Sequence, residues 1–245
     1  RLCMYIKKMT ASFFATRVLL YSEDTDNMLG RFSRESMSDQ QCMEYMIAQV
    51  TQIGVFKTTE GYFKDVCAWQ GVTCDSSGAV LKVNWRGSPL LKGGTIELKY
   101  MPEKVDLFIV KRQSLHGTLP ADSISPNLRG LDLVDNFLGG EIQWKLLPTK
   151  LENMLLDENF FSGTVDLTCL PKELRMLGLS SNRLSGSIDI TALPRNLVRL
   201  YMNENLFNQS TIDVNNIPKA AECYIFTDNN LGKVVVHDNY DTAAL

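Results

Sequence analysis

Histidine is scarce in this 245-residue chain: only His116 and His237 occur, and neither stands near a second ligand type at metal-binding spacing. An imidazole base and a histidine-anchored metal are therefore not expected, and both side chains read as solvated. The nucleophile elbow G-x-S-x-G, a Walker-type phosphate loop and G-x-G-x-x-G are also missing. No enzyme, cofactor or metal is expected. Long apolar runs are lacking too. Met9 to Leu20 comes nearest, but it is too short to span a bilayer and carries Arg17. Charge of either sign is not in excess: 25 basic against 28 acidic residues leave a net charge of -3, with no global field to hold nucleic acid. Six cysteines are too few for a disulfide-built miniprotein and enough for one or two local staples. What remains, 44% apolar and 22% charged, is ordinary globular composition, in a length that suits one elongated repeat domain with appendages.

A 23-residue period organises the chain. The pattern L-x-x-L-x-L-x-x-N-x-L-x-G-x-I, followed by L-P, begins at Leu128, Leu151, Leu174 and Leu197, each 23 residues after the last. Its asparagine column reads Asn136, Asn159, Asn182, Asn205 and Asn229, with Gln113 one period ahead and a final step of 24. Six of the eight prolines recur at spacings of 22 to 24, and glycines recur at Gly117, Gly140, Gly163 and Gly186. Weaker copies start at Val80, with about two extra residues around Pro89 to Gly94, and at Val105 and Ala221, so about seven rungs cover residues 79–236.

Each column has a physical task. Residues at the first, fourth and sixth positions, such as Leu128, Leu131 and Leu133, point inward, while alternation sends their neighbours to the opposite face. One rung cannot bury its own apolar side. Rungs stacked about 4.8 Å apart form a parallel sheet with a continuous core behind it. The turn after each strand leaves backbone groups without sheet partners, and a side-chain amide that both donates and accepts satisfies them. The glycine and the leucine-proline pair shape the return.

The stretch Leu174 to Ile188, LRMLGLSSNRLSGSI, resembles leucine-rich repeats of the plant-receptor-like class. The D-I/L-T-x-L-P segments Asp166 to Pro171 and Asp189 to Pro194 are similar to repeats of surface proteins from protists such as trypanosomatids and dinoflagellates. The resemblance implies an α/β-type solenoid. Its form would be a right-handed horseshoe with a parallel sheet on the concave face, an irregular or 3-10 convex side and an N-terminal helical cap. Residues 36–78 fit the cap. Ser38, Asp39, Gln40 and Gln41 read as a capping box, and Cys42, Met46, Val50 and Ile53 follow at helical spacing before a stop at Gly54. The segment C-x-W-x-G-V-x-C from Cys67 to Cys74 is similar to the N-terminal cap of plant-type ectodomains. That likeness implies a Cys67–Cys74 disulfide with Trp69 over the first rung; on the residues alone, two reduced buried thiols are the alternative. Cys3, Cys42, Cys169 and Cys223 follow no such pattern, and free thiols are expected at Cys169 and Cys223.

Residues 1–35 form a separate extension and 237–245 a tail. The first 22 residues carry Arg1, Lys7, Lys8 and Arg17 without an acid, which fits an interfacial helix touching a membrane or membrane complex, a targeting remnant, an arm on a partner or a solvated extension. The chain opens on Arg1 and not on methionine, so processing or a sequence incomplete at this end, with a signal peptide out of view, is expected.

The alternation also predicts an outward wall. Its apolar members are Leu107, Ile109, Val134, Leu155, Met176, Tyr201 and Ile225, a content that suits a contact surface for a protein or peptide. Asp132 and Asp157 fall on the same face of adjacent rungs, where surface solubility is the simpler reading beside acid–base or calcium chemistry. Asn208-Gln209-Ser210 is a glycosylation sequon, expected on a surface bulge where the sixth rung slips. The expected function is a non-catalytic recognition module, secreted or at the cell surface. The alternative is a structural subunit of a large complex, membrane-associated or organellar.

Overall fold

A computed structural model of the chain describes residues 34–86, 90–213 and 217–235. Cys3, His237 and the expectations for the N-terminal leader and C-terminal tail lie outside these. The chain divides into two units at residue 37. The first contributes a 3-10 turn, Arg34–Ser36, to the described residues, and everything below concerns the second.

The second unit opens on helix α1 (Asp39–Met46). Ser38 caps it: its hydroxyl accepts from the Gln41 N–H at 3.2 Å, and the Gln41 side chain accepts from the Ser38 N–H at 3.0 Å. Spacing predicts this helix through to Gly54, but it stops at Met46 and the chain enters strand β1 (Gln49–Gln52). Val50 is buried in either conformation, because positions four apart on a helix and alternate positions on a strand both turn it inward. A close approach decides the matter. β1 pairs antiparallel with β4 (Lys92–Thr95), Val50 opposite Gly94, and a Cβ on Gly94 would collide with the Gln49 carbonyl.

Strand β2 (Val72–Cys74) pairs antiparallel with β3 (Val80–Trp85), and six parallel strands continue that sheet: β5 (Leu107–Val110), β7 (Gly130–Asp132), β9 (Asn153–Leu155), β11 (Met176–Gly178), β13 (Arg199–Tyr201) and β15 (Cys223–Ile225). Its register steps of 25, 23, 23, 23, 23 and 24 follow from the paired residues Lys82, Leu107, Gly130, Asn153, Met176, Arg199 and Cys223. They reproduce the two-residue insertion near Pro89 and the terminal slip. Behind this concave sheet the inward columns are sealed. Leu128, Leu131, Leu133 and their equivalents through Met202 are each at most 1% exposed.

The return is more regular than the repeat pattern alone suggests. Short 3-10 turns occur at Leu98–Tyr100, Trp144–Leu146 and Leu167–Cys169. Between the asparagine turn and these segments lies a second sheet, in which β4 is followed in parallel by β6 (His116–Gly117), β8 (Phe137–Glu141), β10 (Phe160–Thr164), β12 (Arg183–Gly186), β14 (Leu206–Asp213) and β16 (Asn230–Val235). The asparagines order it. Asn159, Asn182 and Asn205 accept from the N–H groups of Leu138, Phe161 and Leu184 at 3.0 Å, each the buried residue of the preceding rung's second strand. The Asp-x-Thr segments form side-chain turns: Asp166 accepts from Thr168 N and Oγ1 at 3.1 and 2.6 Å, and Asp189 from Thr191 at 2.9 and 2.6 Å.

The cap seals the first rung with aromatic rings. Trp69 stacks on Phe56 with centroids 4.6 Å apart, and Phe56 meets Trp85 of β3 at 5.2 Å, so Trp69 reaches the first rung through Phe56. Both indole N–H groups are satisfied, Trp69 by the Lys64 carbonyl and Trp85 by the Gln70 carbonyl, each at 3.0 Å. A disulfide joins Cys67 to Cys74 across a separation of seven residues. Cys169 and Cys223 are unbridged.

Candidate functional site

The concave sheet presents three outward files. The central one runs Asn84, Ile109, Asp132, Leu155, Gly178, Tyr201 and Ile225, each residue opposite the next. Beside it lies the file of Leu107, Gly130, Asn153, Met176, Arg199 and Cys223. The third, at the sheet's C-terminal edge, continues the period through Lys111, Val134, Asp157, Ser180, Asn203 and Thr227.

All seven apolar wall residues lie on these files, but they are not bare. Leu107, Val134, Leu155, Met176, Tyr201 and Ile225 are half-buried, since an outward side chain in a parallel sheet packs on the rungs above and below it. Ile109 departs from expectation: only 8% of it is exposed. Lys111, two residues along on the same face, reaches Asp132 at 3.4 Å, and Asp132 is the register partner of Ile109, so the ion pair closes over the isoleucine. Two glycines shape the wall further. Leu107 leans over Gly130, and the Asp157 carboxylate occupies the space where Gly178 would carry a Cβ. Gly178 thus makes room for that carboxylate between Leu155 and Tyr201 of the central file.

Asp157 is the electrostatically unusual group of the wall. Burial pushes its carboxyl above the ordinary aspartate range, with the nearby Asp132 charge adding a little, and the Ser180 N–H, donated at 2.9 Å, opposes the shift. Ser180 in turn donates its hydroxyl to Asn203 at 2.6 Å. Desolvation likewise raises the Tyr201 phenol, helped by its neighbour Cys223. Among the described residues no group of three or more His, Cys, Asp or Glu side chains converges as a metal site.

Composition did not disclose a second surface. The large apolar side chains that are exposed include none from the wall, but they include Phe137, Phe160 and Leu206 on the second sheet. Phe137 and Phe160 stack with centroids 5.8 Å apart, His116 meets Phe137 at 5.2 Å, and the Arg183 guanidinium lies 4.4 Å above the Phe160 ring. His116 is therefore part of a ring stack and not merely solvated. The signal was present in the sequence, since all these residues recur at or near 23-residue spacing just after the amide column. Asn208 lies in β14, paired evenly with Asn230 and not on a bulge.

The two sheets, the asparagine turns and the period together define the architecture, and comparison with solved structures agrees. The crystal structure of a pollen receptor kinase 3 aligns with 82% of this chain and all of its own, at 22% identity and a TM-score of 0.60. The leucine-rich repeat ectodomain of the plant membrane receptor kinase GASSHO1/SCHENGEN3 from Arabidopsis thaliana, in complex with Casparian strip integrity factor 2, aligns with 79% of the chain at 20% identity and a TM-score of 0.64. This is a leucine-rich repeat solenoid. A third structure, the plant peptide hormone receptor RGFR1 in complex with RGF2, covers 67% of the chain at 25% identity and a TM-score of 0.57. The chain spans only 24% and 26% of the last two proteins' chains. No protein-family model matches the sequence, and no curated protein does at a significant level. No helix among the described residues of the solenoid is long and apolar enough to cross a membrane.

Proposed function

We propose that the concave sheet is a docking wall for a protein or peptide, and that the chain is a non-catalytic recognition module of the secreted or cell-surface type. The observation that carries this reading is the half-buried outward pair Leu155 and Tyr201, which flank Gly178 in the central file. Asp157, whose carboxylate fills the space over Gly178, together with Ser180 and Asn203 sets hydrogen-bonding groups along one side of this pair. Apolar side chains edged by polar groups suit an extended segment whose side chains pack on the pair and whose backbone meets the polar file. The bridged Cys67–Cys74 cap supports an oxidising compartment. The peptide and protein complexes of the similar plant ectodomains favour the same class of partner.

The test is a Leu155→Glu/Tyr201→Glu double variant. Both side chains face outward and half-buried, so the fold should survive, as read by an unchanged circular dichroism spectrum and melting temperature. Co-purification of the native partner should be lost. Retention of that partner by a folded double variant would remove the concave-wall reading.

The exposed Phe137 and Phe160 favour a second reading, a subunit whose second sheet is permanently covered by a neighbour. That reading expects Phe137→Ser/Phe160→Ser to release the partner and the wall variant to keep it.

A further inference from the structure

The sequon Asn208-Gln209-Ser210 lies on the second sheet beside Leu206, and its geometry is specific. The three residues lie within β14, where alternation puts Asn208 and Ser210 on one face and Gln209 on the other. Asn208 and Ser210 are exposed. Gln209 is tied down: its amide oxygen accepts from the Ile188 N–H at 2.7 Å, and its amide nitrogen donates to the Thr211 carbonyl at 2.6 Å. The tripeptide is therefore held extended, with amide and hydroxyl presented together. Small or polar residues surround them. Asn208 is opposite Asn230 on β16, and beside Ser210 stands Gly232, where a Cβ would run into the Ser210 carbonyl oxygen. Among the described side chains of β16, Asn230 is the one set opposite the sequon's asparagine, and Gly232 leaves the place beside Ser210 open. Two residues before Asn208, and on its face, Leu206 is 62% exposed, an unfavourable amount of bare apolar surface for a protein handled in water.

We infer that Asn208 carries an N-linked glycan whose first sugars lie over Leu206, closing this flank of the solenoid to protein partners and leaving the concave wall open. The inference rests on the secreted or cell-surface reading, because it needs a polyprenyl-diphosphate-linked oligosaccharide as donor. In the transfer, the bond between the sugar C1 and the diphosphate oxygen breaks and the diphosphate leaves with the electron pair. The Asn208 Nδ2 forms the new bond to C1 and gives up one proton. Nothing is oxidised or reduced. The glycan would account for two features at once, the sequon's presentation and the uncovered leucine beside it.

The experiment is expression of the full chain behind a cleavable signal in a eukaryotic secretory host, with peptide mass spectrometry of the secreted protein. Asn208 should carry a hexosamine-initiated glycan, and peptide N-glycosidase in heavy-oxygen water should convert it to labelled aspartate. Asn208→Gln and Ser210→Ala should each abolish the mass shift, while Ser210→Thr retains it. Enzymatic removal should raise binding of an apolar fluorescent dye, and Leu206→Ser should cancel that rise. An unmodified Asn208 in secreted protein whose Cys67 and Cys74 are bridged would overturn the glycan and leave the ectodomain reading standing. Reduced Cys67 and Cys74 in the secreted chain would count against the ectodomain reading itself. A glycan that leaves dye binding unchanged on removal would refute the covering of Leu206.

Discussion

Asn159 and Asn182, one period apart, donate to the same acceptor: the Leu156 carbonyl oxygen receives the Asn159 amide at 3.2 Å and the Asn182 amide at 3.0 Å. Sharing repeats up the stack. Leu133 receives Asn136 and Asn159, Leu179 receives Asn182 and Asn205, and Met202 receives Asn205 and Asn229. Each asparagine thus uses one amide to close its own turn and bolt it to the rung before, and its oxygen takes an N–H from that rung's second strand. Gln113 accepts from Leu91 at 2.9 Å in the same way, but its longer side chain donates to Lys111 two residues back.

The ladder makes position within the stack matter. Asn182→Ala leaves the buried Phe161 N–H without its acceptor, at about 1–3 kcal/mol, while the Leu156 and Leu179 carbonyls keep Asn159 and Asn205 as donors. A loss of about 2–3 kcal/mol in urea unfolding is expected. Asn229→Ala, at a half-buried turn of the last rung, should lose roughly 1 kcal/mol. Equal losses at the two positions would contradict the shared-acceptor account.

The residue before each asparagine adopts a left-handed backbone without being glycine, as at Asp135, Glu158, Ser181, Glu204 and Asp228. Glu158, at φ 56°, is exposed. Glu158→Gly should therefore stabilise the solenoid by about 0.5–1 kcal/mol, and Glu158→Val should destabilise it by more, because a β-branched side chain tolerates this conformation worst. Thermal melts of the two variants settle the sign.

Asp157 predicts a pH dependence. Its folded-state pKa is raised above the ordinary 3.8, so the folded chain holds this proton more tightly than the unfolded one. Its contribution is least unfavourable below that value, and stability falls as pH rises from about 3.8 through the raised value. Asp157→Asn keeps an oxygen for the Ser180 N–H and removes the charge, so it should flatten this part of the profile and raise stability at neutral pH. Parallel urea titrations at acid and neutral pH measure it; a variant with an unchanged slope would assign the pH dependence elsewhere.

The cap disulfide closes a short ring, so its loop-entropy contribution should stay below the roughly 3 kcal/mol of a 15-residue loop. Cys67→Ser/Cys74→Ser should loosen residues 66–75 in hydrogen exchange while protection of the repeats from Leu128 onward is kept. Global unfolding of this variant would mean that the bridge holds more than local shape.

Much of the concave sheet was legible because its side chains obey two rules at once, a 23-residue repeat between rungs and alternation within them. Leu155 and Tyr201 could be placed on one file from spacing alone, and the stacked register bears this out. The second sheet was harder. Its outward residues hold the spacing but change chemistry from His116 to Phe137, Phe160, Arg183 and Leu206, so no repeated residue type marks it. The end of α1 was ambiguous for a different reason, since Val50 points inward under either periodicity.

The spacing of leucines and asparagines by itself determined that the chain coils, how many rungs it makes and which residues face inward, because burial and backbone satisfaction repeat with the chain. Only the stacked structure decided how far each outward side chain is covered. Ile109 lies beside an ion pair that joins Lys111 of its own rung to Asp132 of the next, Asp157 rests in the space a glycine leaves, and Leu206 stands bare. Exposure depends on what the rung above and the rung below place beside a residue, and that is a relation between positions some 23 residues apart that no single repeat contains.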